Sequence, residues 1–390
     1  MNRTITLFIF FSLFAVAVFS VHYYIWNRLI KSTRIKNNYK KYLTALLILL
    51  GLSFPVSFGL AKIVPYNISF YLLWFGNLWL GMMLLYLFTF LFIDILRLFF
   101  YLFNKFSKNS NSYNPERREF IKNSIAVGAS GIVLGATVLS VKKYYDIAIV
   151  KKLSLEIKNL PDSFKGFKIV QISDIHIGQI MRKNTLKEIV EQVNTLKPDL
   201  IAITGDLADG SVGYLFDEIT PLKNLRAKNG VFFVTGNHEY YSGVEQWIEA
   251  VKKLGIRVLE NENIKIVKKN QELSLIGTND HEAGRFGEKH APDFKKAFNN
   301  IDKRNVKILL THQPVDIEKA SQYGVDLMLT GHTHGGQIWP FGYLVVLQQK
   351  YLKGYYKYED THLYVNQGTG CWGPPMRLGT ENEITEIILD

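Results

Sequence analysis

Leu329-Thr330-Gly331-His332-Thr333-His334-Gly335-Gly336-Gln337 sets two imidazoles one residue apart, framed by glycines. In extended backbone the side chains of residues i and i+2 share a face, so His332 and His334 can converge on one point. The residues before them, Asp326-Leu327-Met328-Leu329-Thr330, have strand composition. The pair therefore belongs where a buried strand ends and a loop begins. Alone it fits a chance surface cluster as well as a metal site, and the reading depends on what other strand ends supply.

Around this stretch, from Ile147 onward, short β-rich runs alternate with amphipathic helical patterns. Gly166–Ser173, Leu200–Thr204, Val231–Thr235, Leu273–Gly277, Val306–Thr311, Asp326–Thr330, His362–Asn366 and Ile384–Leu389 read as strands. Leu186, Ile189, Val190, Val193 and Leu196 share one helical face, with Thr185 and Glu188 spaced as a capping box. Val244, Trp247, Ile248, Val251 and Leu254 form another, opened by Ser242 with Glu245 and closed by Gly255. Such alternation predicts an α/β domain whose strand ends carry the loops.

Those ends carry chemistry. The first is followed by Asp174-Ile-His176, the second by Gly205-Asp206-Leu-Ala-Asp209, the third by Gly236-Asn237-His238-Glu239. The strand at Val306–Thr311 is followed by His312, and the next by His332 and His334. Five of the nine histidines thus follow strands directly, which a set of ordinary turns does not explain. Carboxylate, amide oxygen and imidazole without thiolate suit Mn²⁺, Fe or Zn²⁺. Seven ligands exceed one tetrahedral site but suffice for two ions about 3.5–4 Å apart sharing a carboxylate, the arrangement that clamps phosphate esters for hydrolysis. The single cysteine, Cys371, excludes an intrachain disulfide and a Cys-based metal site.

Asp-x-His, Gly-Asp, Gly-Asn-His-Glu, a lone His and Gly-His-x-His, in this order over about Phe167–Asp390, resemble the calcineurin-like metallophosphoesterase family. Gly335-Gly336-Gln337 and the run from Gln367 to Gly379 further resemble its bacterial membrane-associated branch. The resemblance implies two packed β-sheets flanked by helices. It implies Asp174, His176 and His334 on a first divalent ion, a bridging Asp206, and Asn237, His312 and His332 on a second. It also implies that a metal-bridging hydroxide attacks phosphorus, while His238 contacts the phosphate and protonates the leaving oxygen. Asp209 and Glu239 are candidates for orienting imidazoles, or else solvated loop carboxylates. Glycines 205, 236 and 331 fit a need for unusual backbone angles and close approach. Arg377 is a candidate phosphate contact, with a surface or core-capping role as the alternative.

The N-terminal part is of another kind. Residues 1–150 carry 16 Lys+Arg against 4 Asp+Glu, whereas 151–390 carry 30 of each, so the net charge of +12 resides wholly in the hydrophobic part. That placement points to membrane topology rather than to nucleic acid, which is not an expected partner. Thr4–Trp26, Tyr42–Ala61, Ile68–Phe103 and Asn123–Val141 read as about four transmembrane helices. In the third, Tyr71–Ile93 is the span, with Asp94 and Arg97 near its helix end. Arg28, Lys31, Arg34, Lys36, Lys40 and Lys41 fall between spans one and two, and Lys105, Lys108, Arg117, Arg118 and Lys122 between three and four. Only Lys62 falls between two and three. The positive-inside rule puts both basic loops in the cytoplasm and the soluble part outside, at a bacterial cell or inner membrane. Glu116-Arg117-Arg118-Glu119-Phe120-Ile121-Lys122 resembles a twin-arginine export signal, or else is an ordinary basic anchor.

The expected organisation is a membrane region over 1–143, a linker with the first strand over 144–165, and a catalytic α/β domain over 166–390. The expected function is a membrane-anchored phosphomono- or diesterase, with a lipid or envelope precursor as one possible substrate and the bilayer as partner. The alternatives are a catalytically silent metal or ligand sensor coupled to the helices, and a channel with an accessory domain. Two segments are candidates for meeting substrate or lipid: Thr278–Pro292, and the aromatic-rich Trp339–Tyr358, which otherwise folds over its own sheet. His281 and His290 read as surface residues, and His22 as a membrane-edge residue without a role.

Overall fold

The computed structural model describes residues 3–61, 63–106, 115–178 and 180–390. Lys62 and Lys108, counted above in the loop charges, lie outside the described residues. The chain forms two compact units, one of Met1–Val141 with Gly373–Met376, the other of Lys142–Trp372 with Arg377–Asp390.

The N-terminal region holds α1 (Arg3–Trp26), α2 (Asn37–Leu60), α3 (Tyr66–Phe106) and α4 (Pro115–Tyr145). All four are long and apolar enough to cross a membrane. At 1.5 Å per residue α3 measures about 60 Å, roughly twice a bilayer's hydrocarbon core. It runs unbroken through Asp94 and Arg97, so these charges lie within the helix rather than near its end. Asp94 accepts from Tyr24 Oη at 2.5 Å and pairs with Arg28 and, at 3.5 Å, with Arg97. A carboxylate surrounded in this way needs no pathway to explain it. His22 does have a structural role, because Trp79 Nε1 donates to its Nε2 at 2.9 Å and ties α1 to α3.

The second unit is a sandwich of two six-stranded sheets. In chain order its strands are β1 (Ile149–Leu155), β2 (Phe167–Ile172), β3 (Leu200–Thr204), β4 (Val231–Val234), β5 (Arg257–Val258), β6 (Glu262–Lys268), β7 (Gln271–Gly277), β8 (Lys307–Leu310), β9 (Leu327–Thr330), β10 (Gly354–Tyr358), β11 (Thr361–Val365) and β12 (Glu383–Leu389). One sheet is ordered β1-β12-β2-β3-β4-β5 and the other β10-β11-β9-β8-β7-β6. Neighbours are parallel except β12–β2, β6–β7 and β10–β11. Helices α5 (Lys183–Thr195), α6 (Val212–Ile219), α7 (Asn237–Ser242), α8 (Val244–Lys253), α9 (Phe294–Ala297), α10 (Ile317–Gln322) and α11 (Gly342–Gln349) complete the unit.

The two-residue period of a strand sorts its side chains between layers. Ile169, Leu200, Ala202, Ile308, Leu310, Leu327 and Leu329 meet in one core between the sheets. Leu309 and Met328 face the other way, onto Phe294, Ile317 and Ala320 of α9 and α10. With both faces covered, the central strands read as near-continuous apolar runs. Burying each Leu or Ile is worth about 1.5–3 kcal/mol, and a one-residue slip would exchange the faces of a strand. The packing thereby fixes where each strand ends, and so where the loops after β2, β3, β4, β8 and β9 begin.

Both helix starts differ from expectation. Helix α5 begins at Lys183, before Thr185, and no capping box forms; Glu218 instead accepts from Lys183 N at 2.7 Å. Ser242 closes α7, and α8 starts from Gly243 in left-handed backbone. Ser242 Oγ accepts from Gly210 N at 3.2 Å instead.

Candidate metal centre

The carboxyl ends of five strands converge on one rim of the sandwich. Just beneath it, Gln171 ties the sheets together, its Nε2 donating to Thr204 Oγ1 at 2.8 Å and to Thr330 O at 2.9 Å. At the rim, Asp174, His176 and His334 hold donor atoms within 4.8 Å of one another, as do Asp206, His312 and His332. A third group, His176, Asp206 and His238, overlaps both. Asp206 Oδ2 lies 3.1 Å from His312 Nε2 and 3.7 Å from His176 Nε2, so a single oxygen faces both sides. Asp174 Oδ1 is 3.4 Å from His334 Nε2. Asn237 opens α7 beside them, its buried Oδ1 without a hydrogen-bond partner.

The local backbone explains how short loops bring these groups together. Asp174, His176, Asp206, His332 and His334 all have positive φ, between 50° and 70°. Short polar side chains tolerate this region better than others, at about 1–3 kcal/mol each, and such strain clusters at functional sites. The unusual angles expected of the glycines are thus carried mostly by the candidate ligands themselves. Of the three glycines, only Gly205 has positive φ, at 89°. Gly236 and Gly331 serve close approach, since a Cβ there would collide with the Asp206 and Asp174 carboxylates respectively.

The hydrogen-bond roles settle which nitrogens face inward. His176 Nδ1 meets Asp209 Oδ1 at 3.0 Å, and His312 Nδ1 meets Thr204 O at 2.7 Å. Each acceptor takes the Nδ1 proton in a hydrogen bond, so Nε2 is the nitrogen turned toward the centre. His176 Nε2 stands 3.0 Å from His334 Nε2, and His312 Nε2 stands 3.2 Å from His332 Nδ1. Ring nitrogens brought so close, with carboxylates between them, form a donor set that suits divalent cations.

The charges at the rim point the same way. Burial would raise the pKa of Asp206, but His312 and His238 hold it well below the usual carboxylate range. Burial would lower His312, yet Asp206 raises it well above an ordinary imidazole. Burial pushes His332 down to about 3 and holds His334 well below its usual value. Protonated imidazoles thus balance Asp206, a place a cation can take.

Around this centre the remaining candidates fall into distinct positions. His238 Nδ1 lies 2.5 Å from Asp209 Oδ1, the oxygen that also meets His176. Its Nε2 lies 3.9 Å from Asp206 Oδ2. Burial opposes its charge, but Asp206 and then Asp209 push its pKa up to about 10. Among the described residues, the hydrogen bonds of Glu239 go to backbone rather than to an imidazole. Its carboxylate accepts from the backbone amides of Gly236, Asp206 and Leu207 at 2.7, 3.0 and 2.8 Å, fixing the Asp206 loop.

Arg377 is not placed to hold phosphate. It is 1 % exposed, and its guanidinium donates to Asn382 Oδ1 at 2.7 Å and to Gly368 O and Gly370 O at 3.0 and 2.5 Å. It binds the segment behind His334 into the core.

Nor are both lone histidines on the surface. His290 is largely covered, its ring 5.5 Å from that of Tyr240, while His281 pairs with Asp316 at 2.8 Å. Within Thr278–Pro292, Asp280 is buried and accepts from Gln313 Nε2 at 3.0 Å, and burial raises its pKa to about 6. Sequence reasoning missed an aromatic flank at His238. The Tyr241 ring lies 5.2 Å away and the Trp372 ring 6.2 Å away, both half-exposed. Gln337 clamps Trp372, donating from Nε2 to Trp372 O at 2.7 Å and accepting from Trp372 N at 3.0 Å. No local signal links two residues so far apart in the chain.

A sandwich of this topology with such a rim defines a class, and the comparisons agree. Residues 167–336 match the family model of calcineurin-like phosphoesterases. The chain is 35% identical over 297 residues to an uncharacterized metallophosphoesterase of Helicobacter pylori, covering 76% of this chain and 78% of the relative. It is 30% identical over 284 residues to an uncharacterized metallophosphoesterase of Bacillus subtilis, covering 70% and 97%. It is 38% identical over 271 residues to a transmembrane protein with metallophosphoesterase domain of Bos taurus, covering 66% and 61%. The chain belongs to the calcineurin-like metallophosphoesterase family. Its relatives include animal as well as bacterial proteins, a wider circle than a bacterial branch.

Proposed function

We propose that this chain is a membrane-anchored, dinuclear metal-dependent phosphoesterase that hydrolyses a phosphomono- or diester. The observation that carries the reading is the convergence of Asp174, His176 and His334 on one side of Asp206 and of His312 and His332 on the other. The first three would hold one ion and Asn237, His312 and His332 a second, with Asp206 placed where it would serve both. Oxygen and nitrogen donors without sulfur fit Mn²⁺, Fe or Zn²⁺. When bound, two such ions polarise a phosphoryl group and bring the pKa of water into the neutral range.

The chain's own groups do the rest. His238 stays protonated because Asp209 and Asp206 face it, and its Nε2 points toward the centre, where it donates a proton to the leaving oxygen. Asp209 holds His176 and His238 in register with one oxygen. Glu239 keeps the Asp206 backbone in its strained turn. Tyr241 and Trp372 flank the leaving-group side of His238.

The chain divides into a membrane region over 1–143, a linker with the first strand over 144–165, and a catalytic domain over 166–390. Arg34, between α1 and α2, pairs with Glu119 in the N-terminal turns of α4, and its backbone N–H donates to Asn123 Oδ1 at 3.0 Å. The segment between α1 and α2 thus meets the N-terminal turns of α4, which supports one side for both, cytoplasmic by the positive-inside rule, and an extracytoplasmic catalytic domain. Substrates at that surface include lipid and envelope-precursor phosphoesters.

The full chain, purified in detergent with Mn²⁺, is assayed against p-nitrophenyl phosphate, bis-p-nitrophenyl phosphate and phospholipid vesicles. Turnover of at least one, lost with chelator and restored by metal, is expected. Bound metal without any turnover would favour a silent sensor.

A further inference from the structure

Trp339–Tyr358 lies in two halves that behave differently. Its second half forms β10, and Tyr351, Tyr356 and Tyr358 pack against the outer core of their own sheet. Its first half turns outward. From Ile338 to Gln349 there is no charged residue, and Trp339, Tyr343, Leu344 and Leu347 of this stretch are 61, 70, 51 and 82% exposed. Apolar side chains gathered on one short helix are a contact surface rather than scattered surface residues.

That helix, α11, is fastened to the metal centre at both ends. On one side Gly336, two residues after His334, is so close to Gly342 that a Cβ would collide with it. On the other, the buried Gln349 donates from Nε2 to Gln313 Oε1 at 3.0 Å, next to His312. Thr333 Oγ1, between His332 and His334, donates to Leu352 O at 2.5 Å.

We infer that α11 with Trp339 is a bilayer-docking element, which sets the metal centre against the membrane interface. The occupant follows from chemistry on the page. The chain carries four helices fit to cross a membrane, so a bilayer is always within reach of this unit. Aliphatic residues with Trp and Tyr beside them, and no charge among them, match the interfacial layer where amphipathic rings and buried alkyl groups coexist. This inference rests on the reading of the rim as a phosphoesterase centre only for its meaning, not for its test.

The test uses the full chain with Leu347→Cys, labelled with an environment-sensitive fluorophore and reconstituted into phosphatidylcholine–phosphatidylglycerol vesicles. Cys371, the native cysteine, is buried and leaves Leu347→Cys as the reactive thiol; unmutated chain controls for background. Quenching by lipids carrying a spin label near the headgroup is the expected result. A second variant, Lys187→Cys on the exposed face of α5, reads the background of a domain merely tethered nearby. Quenching no stronger at 347 than at 187 overturns the inference. Loss of quenching with oxidative 347–347 cross-linking would assign the face to a second copy and overturn it equally. Neither readout needs catalysis, so failure here is separable from failure to hydrolyse esters.

Discussion

Among the rim residues, the groups proposed to hold metal are distinct from the one proposed to move a proton. His238 is held by Asp209 and faces Asp206 without completing either ligand triad by itself. His238→Ala should therefore lower turnover about 10²–10⁴-fold, the usual contribution of a positioned acid, with metal content nearly unchanged by atomic emission. Wild-type turnover in that variant would refute its role. Asp209 gives a second handle, with a sign. His238 is raised to about 10 by Asp206 and Asp209 against its burial, and an acid must be protonated to act, so activity fades as pH rises through that pKa. Asp209→Asn removes one anion, lowers the pKa of His238, and should move the basic limb of the pH–rate profile to lower pH. A limb that stays in place would mean that another group sets it.

At the element scale, what was legible in the sequence depended on how local its causes are. Each candidate ligand sits within a few residues of a strand end, and strand ends show as breaks in apolar runs, so the rim could be read one loop at a time. Helix starts could not. The first amide of α5 is satisfied by Glu218, far along the chain, and no local pattern announces it. The function of Arg377 was hidden for the same reason. It looked like a cation available for phosphate, but its nitrogens are turned onto Gly368, Gly370 and Asn382. Arg377→Met would leave these buried acceptors unpaired at about 1–3 kcal/mol each. The calorimetric midpoint should fall by several degrees, at roughly 2–4 °C per kcal/mol. An unchanged midpoint with weakened phosphate binding would restore the contact role. Glu239 taught the converse lesson, since a carboxylate beside histidines proved to serve three backbone amides.

At the scale of the whole molecule, the sandwich and the helical region make separate demands. Arg34 meets Glu119 and Asn123 of α4, which supports the proposal that this end of the helices is cytoplasmic under the positive-inside rule. External protease on intact cells should cut within Lys142–Asp390, and protection of that unit until lysis would reverse the topology. The central claim is that two ions share Asp206. Its most direct test is to count metal in the purified full chain by plasma mass spectrometry while measuring turnover of a p-nitrophenyl ester, with and without Asp206→Asn. The account predicts two divalent ions per chain with turnover, and loss of both metal and activity in the variant. One ion or none in an active wild-type chain, or an Asp206→Asn chain that keeps two ions and full turnover, would contradict it.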